Sequence, residues 1–312
     1  MNKIAFIFPG QGSQYVGMGK ELAEAFPEAM EIYDMANEVL NMDIKKICFD
    51  GPEEQLNITE YTQPAILTTS LAFAKILERK GILPHITAGL SLGEYASLAV
   101  AGSIKLMDVI SLVKKRGKFM QEAVPIGIGT MAAIMGLGKE EVEVVCKKAS
   151  EYGVVEAANY NCPGQIVIAG ETIGVEKACE IAKELGAKRT SILSVSAPFH
   201  SSLLSPAGIK LREELKKYRI DDAKIPVVTN VDATIEKKSE TIKDNLIKQV
   251  STSVRWEECM GKMIHQDVNT FIEVGPGRTL TSFAKKISKD IVCLRVENLK
   301  TLNETLDVLE VY

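Results

Sequence analysis

The chain opens with an unbroken apolar run from Ile4 to Phe8, closed by Pro9-Gly10-Gln11-Gly12. An apolar run with no polar alternation predicts a strand buried on both faces, as in a parallel sheet, and the Pro-Gly pair predicts the turn that ends it. Apolar positions at three- and four-residue spacing then predict helices over about 15–26 and 27–40, and a third over about 63–81 with Pro64 near its start. Residues 84–90 return to strand character. Directly after them, 91–101 and 105–124 read as two antiparallel helices, the second carrying Leu106, Val109, Ile110, Val113, Gly117 and Met120 on one stripe.

From residue 129 the rhythm changes. Strand 130–135, helix 139–150, strand 154–160, a Pro163-Gly164 turn, strand 165–169, helix 172–185 and strand 189–195 give the order βαββαβ, the ferredoxin-like arrangement that closes its own small sheet. The first pattern then resumes with strand 226–231, helices near 242–249 and 254–265, and strands 270–274 and 291–296. The expected fold is therefore α/β, a hydrolase-like parallel-sheet domain built from 1–126 and 197–312 and interrupted by a ferredoxin-like insertion at 127–196. The chain has 312 residues, enough for about two domains.

Composition narrows the function classes. Forty-one acidic against 37 basic side chains leave a net charge of −4, with 46% hydrophobic residues; that argues against disorder and against a nucleic-acid binder. No apolar stretch approaches the ~18 residues of a membrane span, and the run ending at Phe8 is too short for a signal peptide. Neither a membrane partner nor secretion is expected. The six cysteines have no Cys-x-x-Cys pair and no histidine at ligand spacing, so they read as reduced cytoplasmic thiols and no metal site is expected.

The sharpest chemical signal is Gly89-Leu90-Ser91-Leu92-Gly93, a Gly-x-Ser-x-Gly where a buried strand meets a helix. That context defines a nucleophile elbow, with glycines permitting close approach and the serine pushed out above the sheet. Ser91 with Glu94 also satisfies a capping box, which does not need the two glycines. A serine needs an adjacent base, and the chain offers His85, His200 and His265. His85 precedes the strand leading to Ser91, about six residues at ~3.3 Å each away, at the opposite sheet edge. His265 ends a helix at that same edge and suits a surface helix C-terminus. His200, where the chain re-enters the main domain, is the base by elimination. A small domain anchored at the carboxyl edge covers the place where ligands bind such sheets, so the site is expected in a cleft between the two domains.

Asp108, the sole aspartate between Ser91 and His200, begins a helix near the far edge, so a Ser-His dyad oriented by a neutral amide or backbone carbonyl is expected. Arg116 borders the apolar stripe of its helix. It would make an internal ion pair or snorkel to solvent, or else form a two-pronged fork for a substrate carboxylate. The loop 10–14 breaks both nucleotide-binding patterns, since Tyr15 replaces the third glycine and Met18 follows Gly17. Its exposed N–H groups could instead build an oxyanion hole.

Seven ordered segments complete the pattern: Phe8-Pro9-Gly10-Gln11-Gly12-Ser13-Gln14, Thr62-Gln63-Pro64-Ala65, Gly89 to Tyr95, Arg116-Gly117, Asn161-Cys162-Pro163-Gly164-Gln165, Ser196-Ala197-Pro198-Phe199-His200-Ser201 and Glu273-Val274-Gly275-Pro276-Gly277. On these the chain resembles the malonyl-CoA:acyl carrier protein transacylases over essentially its whole length. The resemblance implies ping-pong transfer, with Ser91 taking malonyl from malonyl-CoA and an acidic acyl carrier protein collecting it, for fatty acid synthesis and with no permanently bound cofactor. It implies an oxyanion hole from the Gln11 and Leu92 amides, Arg116 on the malonyl carboxylate, and Gln249 orienting His200 through its carbonyl. Gln63 and Asn161 would line the site, and Phe199 would narrow the pocket toward malonyl. The family commonly carries histidine where Leu90 stands, so no proton transfer is expected there. A stand-alone acyltransferase for a polyketide synthase would share every motif, and a serine hydrolase would need an acid that is missing. Lys114, Lys115, Arg116 and Lys118 form a basic run that is either a solvated face or an attraction for the carrier.

Overall fold

The computed structural model describes residues 3–125, 127–195 and 197–310. Strand β1 (Lys3–Phe8) is followed by α1 (Lys20–Ala25), α2 (Pro27–Leu40), α3 (Ile44–Asp50), α4 (Glu53–Leu56) and α5 (Thr59–Arg79). Next come β2 (Ile86–Gly89), α6 (Gly93–Val100) and α7 (Leu106–Glu122). The middle of the chain forms β3 (Gly129–Met135), α8 (Lys139–Ala149), β4 (Val155–Cys162), β5 (Gln165–Glu171), α9 (Thr172–Glu184) and β6 (Arg189–Ile192). The remainder is α10 (Ser205–Leu215), β7 (Val227–Val228), β8 (Ile235–Glu236), α11 (Ser239–Gln249), α12 (Trp256–Ile264), β9 (Val268–Val274), α13 (Thr279–Ile287), β10 (Val292–Val296) and α14 (Leu299–Val308).

Two sheets organise these elements. The larger has the order β10-β9-β1-β2-β7-β8, parallel except for the terminal β7–β8 hairpin. Its faces are covered by two clusters: Phe6 and Phe8 point into one with α2, α5 and α7, while Ala5 and Ile7 point into the other with α12 and α13. That double burial is why β1 reads as a continuous apolar run. The smaller sheet is antiparallel, in the order β4-β5-β3-β6, with α8 and α9 packed on it through Val142, Val145, Val175 and Ala178. The small sheet is tied to the segment between α11 and α12, where Tyr160 N–H donates to the Val254 carbonyl and Val254 N–H to the Ala158 carbonyl.

Several elements depart from the sequence pattern. The helix expected from residue 15 begins only at Lys20, because Gly17 and Gly19 hold φ of 100° and 80° and a Cβ on Gly19 would lie 1.9 Å from the Tyr33 hydroxyl. Helix α5 starts at Thr59, four residues before the expected start, and carries Pro64 inside it; the Thr62 hydroxyl donates to the Leu56 and Ile58 carbonyls in that first turn. The strand expected over 226–231 is two residues long, because Thr229 N–H donates to the Thr234 carbonyl and turns the chain into β8. Helices α3, α4, α10, α13 and α14 had no counterpart in the sequence pattern. The expected domain junctions fall at Ile126 and Ser196, outside the described residues.

Candidate active site

Ser91 follows β2 at the carboxyl edge of the large sheet, with φ of 52° in the left-handed region that non-glycine residues rarely adopt. The flanking glycines make that turn possible. A Cβ on Gly89 would fall 1.9 Å from the Gly93 carbonyl carbon, and one on Gly93 would fall 2.1 Å from the Phe8 carbonyl oxygen. Gly93→Ala therefore drives a methyl into backbone and is expected to destabilise the protein by about 3 kcal/mol or more. Calorimetry checks this, and a wild-type melting midpoint would show that strand and helix have slack.

His200 follows β6, an edge strand of the small sheet, also with positive φ at 62°. Its Nε2 lies 2.7 Å from Ser91 Oγ and its Nδ1 lies 2.7 Å from the Gln249 carbonyl oxygen. A carbonyl can only accept, so in the neutral ring Nδ1 carries the hydrogen and Nε2 presents a lone pair to the serine. No aspartate or glutamate pairs with His200 among the described residues; Asp108 lies in the first turn of α7. Burial, then the Arg116 cation, holds the imidazole down at about 4. Because this is below the ordinary histidine value, the base is lost only as pH falls through about 4. The same depression lets the unfolded chain take up a proton first, so this group's contribution to stability declines as pH falls from 6.5 to 4. Acyl loading is therefore expected to hold level from about pH 8 to 5; a rapid-quench pH profile with its limb near 6.5 would contradict this.

Arg116 is 1% exposed, so it does not snorkel, and its hydrogen-bond partners are neutral. Nη1 donates to Gln63 Oε1 at 2.9 Å, while Nη2 donates to Ser91 Oγ at 3.1 Å and Gln249 Oε1 at 3.0 Å. Its guanidinium lies 5.1 Å from the Tyr95 ring centroid. The buried Glu94 carboxylate acts on it only without a hydrogen bond, and a buried cation hydrogen-bonded to neutral groups alone is costly, a cost that a ligand carboxylate would relieve. Within the rest of the basic run Lys115 pairs with Glu214 and Lys118 with Glu122.

These groups open onto a cavity of about 860 Å³ between the sheets, lined by Gln11, Leu92, Asn161 and Phe199 among others. Neither the Gln11 nor the Leu92 backbone N–H donates a hydrogen bond among the described residues. Gln63 holds Arg116 and donates weakly to Met120 Sδ at 3.6 Å. Leu90 also lines the cavity. The other histidines stay away: His85 Nδ1 accepts from Ile4 N–H before β2, and His265 Nδ1 meets the Gly261 carbonyl at the end of α12.

Sequence reasoning missed two members of the site. Asn230, in the turn after β7, accepts from Ser91 N–H at 2.6 Å and donates to the Gly89 carbonyl at 2.8 Å, clamping the elbow. Glu94, read from sequence as a helix cap, is fully buried beneath the serine, where it accepts from Gln249 Nε2 at 2.7 Å and Asn230 N–H at 3.0 Å. Burial pushes its carboxyl up to about 7. A glutamate on a helix with Tyr95, Ala96 and Leu98 buried around it was the available clue.

Comparison with known proteins places this geometry in a family. A family model described as an acyl transferase domain matches residues 5–302. A malonyl CoA-acyl carrier protein transacylase of Bacillus subtilis is 47% identical over 311 residues, covering 99% of this chain and 98% of that protein. The crystal structure of a malonyl CoA-acyl carrier protein transacylase from Clostridium perfringens superposes with a TM-score of 0.96 at 48% identity, covering 99% of this chain and 97% of the other. A malonyl-transacylase solved in complex with a type II PKS acyl-carrier protein gives a TM-score of 0.96 at 42% identity, covering 98% and 100% of the two chains. With nearly full-length identity to such relatives and a fold that follows theirs throughout, the chain belongs to the malonyl CoA-acyl carrier protein transacylase family.

Proposed function

We propose that this chain moves a malonyl group from malonyl-CoA to the phosphopantetheine thiol of an acyl carrier protein through a malonyl ester on Ser91. The observation that carries this reading is Arg116, a buried cation whose hydrogen-bond partners are all neutral, 3.1 Å from a serine hydroxyl that is itself 2.7 Å from a histidine nitrogen. A malonyl thioester supplies both complements, an anion for the guanidinium and a carbonyl carbon for the serine.

In the first half-reaction the Ser91 Oγ–H proton passes to His200 Nε2 as Oγ bonds to the thioester carbon. The carbonyl oxygen becomes an oxyanion facing the free N–H groups of Gln11 and Leu92, each such donor being worth roughly 10²- to 10³-fold in rate. The C–S bond then breaks and His200 returns the proton to the CoA sulfur. The second half-reaction reverses these roles with the carrier's thiol as nucleophile. The Gln249 carbonyl keeps the imidazole in the required tautomer, and Asn161 and Phe199 shape the acyl pocket.

We further assign residues 1–126 and 197–312 to a hydrolase-like catalytic unit and 127–196 to a ferredoxin-like insertion, supported by the βαββαβ order of the small sheet. The activity is assigned to the cytoplasm, in keeping with six free cysteines. Fatty acid synthesis is the first reading of its pathway. A polyketide carrier is the second, favoured by the relative solved with a type II PKS acyl-carrier protein.

A chase experiment tests the two-step scheme. Enzyme loaded with malonyl-CoA and freed of CoA is expected to pass malonyl to holo carrier protein at a rate no slower than steady-state turnover, and to release malonate to water far more slowly. Malonate release as fast as transfer would favour a hydrolase.

A further inference from the structure

The substrate-facing groups do not hold themselves in place. Gln249 touches Arg116 with Oε1, and its carbonyl meets His200, so one residue touches both working groups. Its side-chain amide has two possible orientations, and only one places Oε1 on the guanidinium. Behind that amide lie three acceptors for Nε2: the Ser91 carbonyl at 3.1 Å, Asn230 Oδ1 at 3.3 Å and Glu94 Oε2 at 2.7 Å. Of these the Glu94 bond is the shortest. The same Glu94 oxygen accepts from Asn230 N–H, and Asn230 clamps the Ser91 amide. Glu94 Oε1 has no hydrogen-bond partner among the described residues.

We propose that Glu94 is a positioning residue for acyl-group selection: its Oε2 fixes the Gln249 amide so that Gln249 Oε1 holds the Arg116 guanidinium facing the acyl pocket. The role rests on the reading of Arg116 as the malonyl carboxylate site. It also predicts which variants matter. A glutamine at 94 can present its carbonyl oxygen to the same two N–H donors, so Glu94→Gln keeps the orienting bond while removing the charge and placing an amide nitrogen where the unpartnered Oε1 lies. Methionine fills similar volume with no such acceptor, freeing the Gln249 amide to turn.

The test is the ratio of acyl-enzyme formation rates with malonyl-CoA and acetyl-CoA, measured by rapid quench on the full chain. Glu94→Met is expected to lower the malonyl-to-acetyl ratio roughly 10- to 100-fold, the range seen when a group that orients a primary ligand is lost. Glu94→Gln is expected to stay within about threefold of wild type, on the same principle that the orienting bond survives. Glu94→Met combined with Gln249→Ala should lower the ratio no further than Gln249→Ala alone, because both act through one amide. Should Glu94→Met fail to fold, Glu94→Asp, which withdraws the acceptor by one methylene, carries the test with the same expected direction.

An unchanged ratio in the folded methionine or aspartate variant, or equal loss with both donors, would overturn the proposal and leave Glu94 a structural residue. A Glu94→Gln variant as impaired as Glu94→Met would overturn it too, by making charge rather than orientation the cause. Arg116→Ala run alongside separates the two claims: if it leaves the ratio unchanged, the carboxylate reading itself has failed. If it collapses the ratio while the position-94 variants do not, only the present proposal has.

Discussion

Ser91→Ala is expected to reduce transfer to the carrier protein by at least about 10⁴-fold and to leave no acyl-enzyme. Ser91 is 8% exposed, lines the cavity and, among the described residues, is the only nucleophile held against His200 Nε2. Without it the carrier's thiol would have to attack malonyl-CoA directly, with two large cosubstrates in one cleft. His200→Ala should cost nearly as much, and the double variant little more than either alone, since the two residues act as one unit. Steady-state transfer with holo carrier protein checks this series. An additive double loss would mean that serine and histidine serve separate steps.

Arg116→Ala should change which acyl group is accepted. Losing one partner of a buried charged pair costs about 3 to 4 kcal/mol, or roughly 10²- to 10³-fold in kcat/KM for malonyl-CoA. Acetyl-CoA presents no carboxylate, so its loading should hold steady or rise. The comparison matters because removing the guanidinium also strips Gln63 Oε1 and Gln249 Oε1 of a donor. General damage to the fold would lower both rates together, whereas loss of a carboxylate partner lowers only one. Equal losses for the two donors would remove Arg116 from substrate recognition.

The legibility of this molecule follows from how local each feature is. Strand β1 and the elbow announce themselves because their requirements are met within ten residues: an apolar run buried on both faces, and two glycines whose missing side chains let β2, α6 and β1 approach. The βαββαβ order is similarly readable, since each strand and helix of the small sheet has its own period. Short helices such as α3 and α4 escape because their seven and four residues span too few turns for a periodic stripe. Asn230 escapes for a different reason. Its partner is the Ser91 amide, 139 residues away in sequence, and nothing in the turn after β7 marks it. Arg116 lay between: its spacing on α7 placed it at the border of the apolar stripe, but its burial depends on amides from α5 and α11 converging on it. The resemblance to known transacylases supplied the role that periodicity alone left open.

The central claim is a malonyl ester on Ser91, and intact-protein mass spectrometry after mixing with malonyl-CoA alone tests it most directly. Wild type should gain roughly 86 Da, the malonyl increment expected of nucleophilic catalysis by a serine, with the adduct mapping to the peptide containing Ser91. Ser91→Ala should gain nothing. No adduct on wild type, or one that persists in Ser91→Ala, would contradict the account and place the chemistry on another residue.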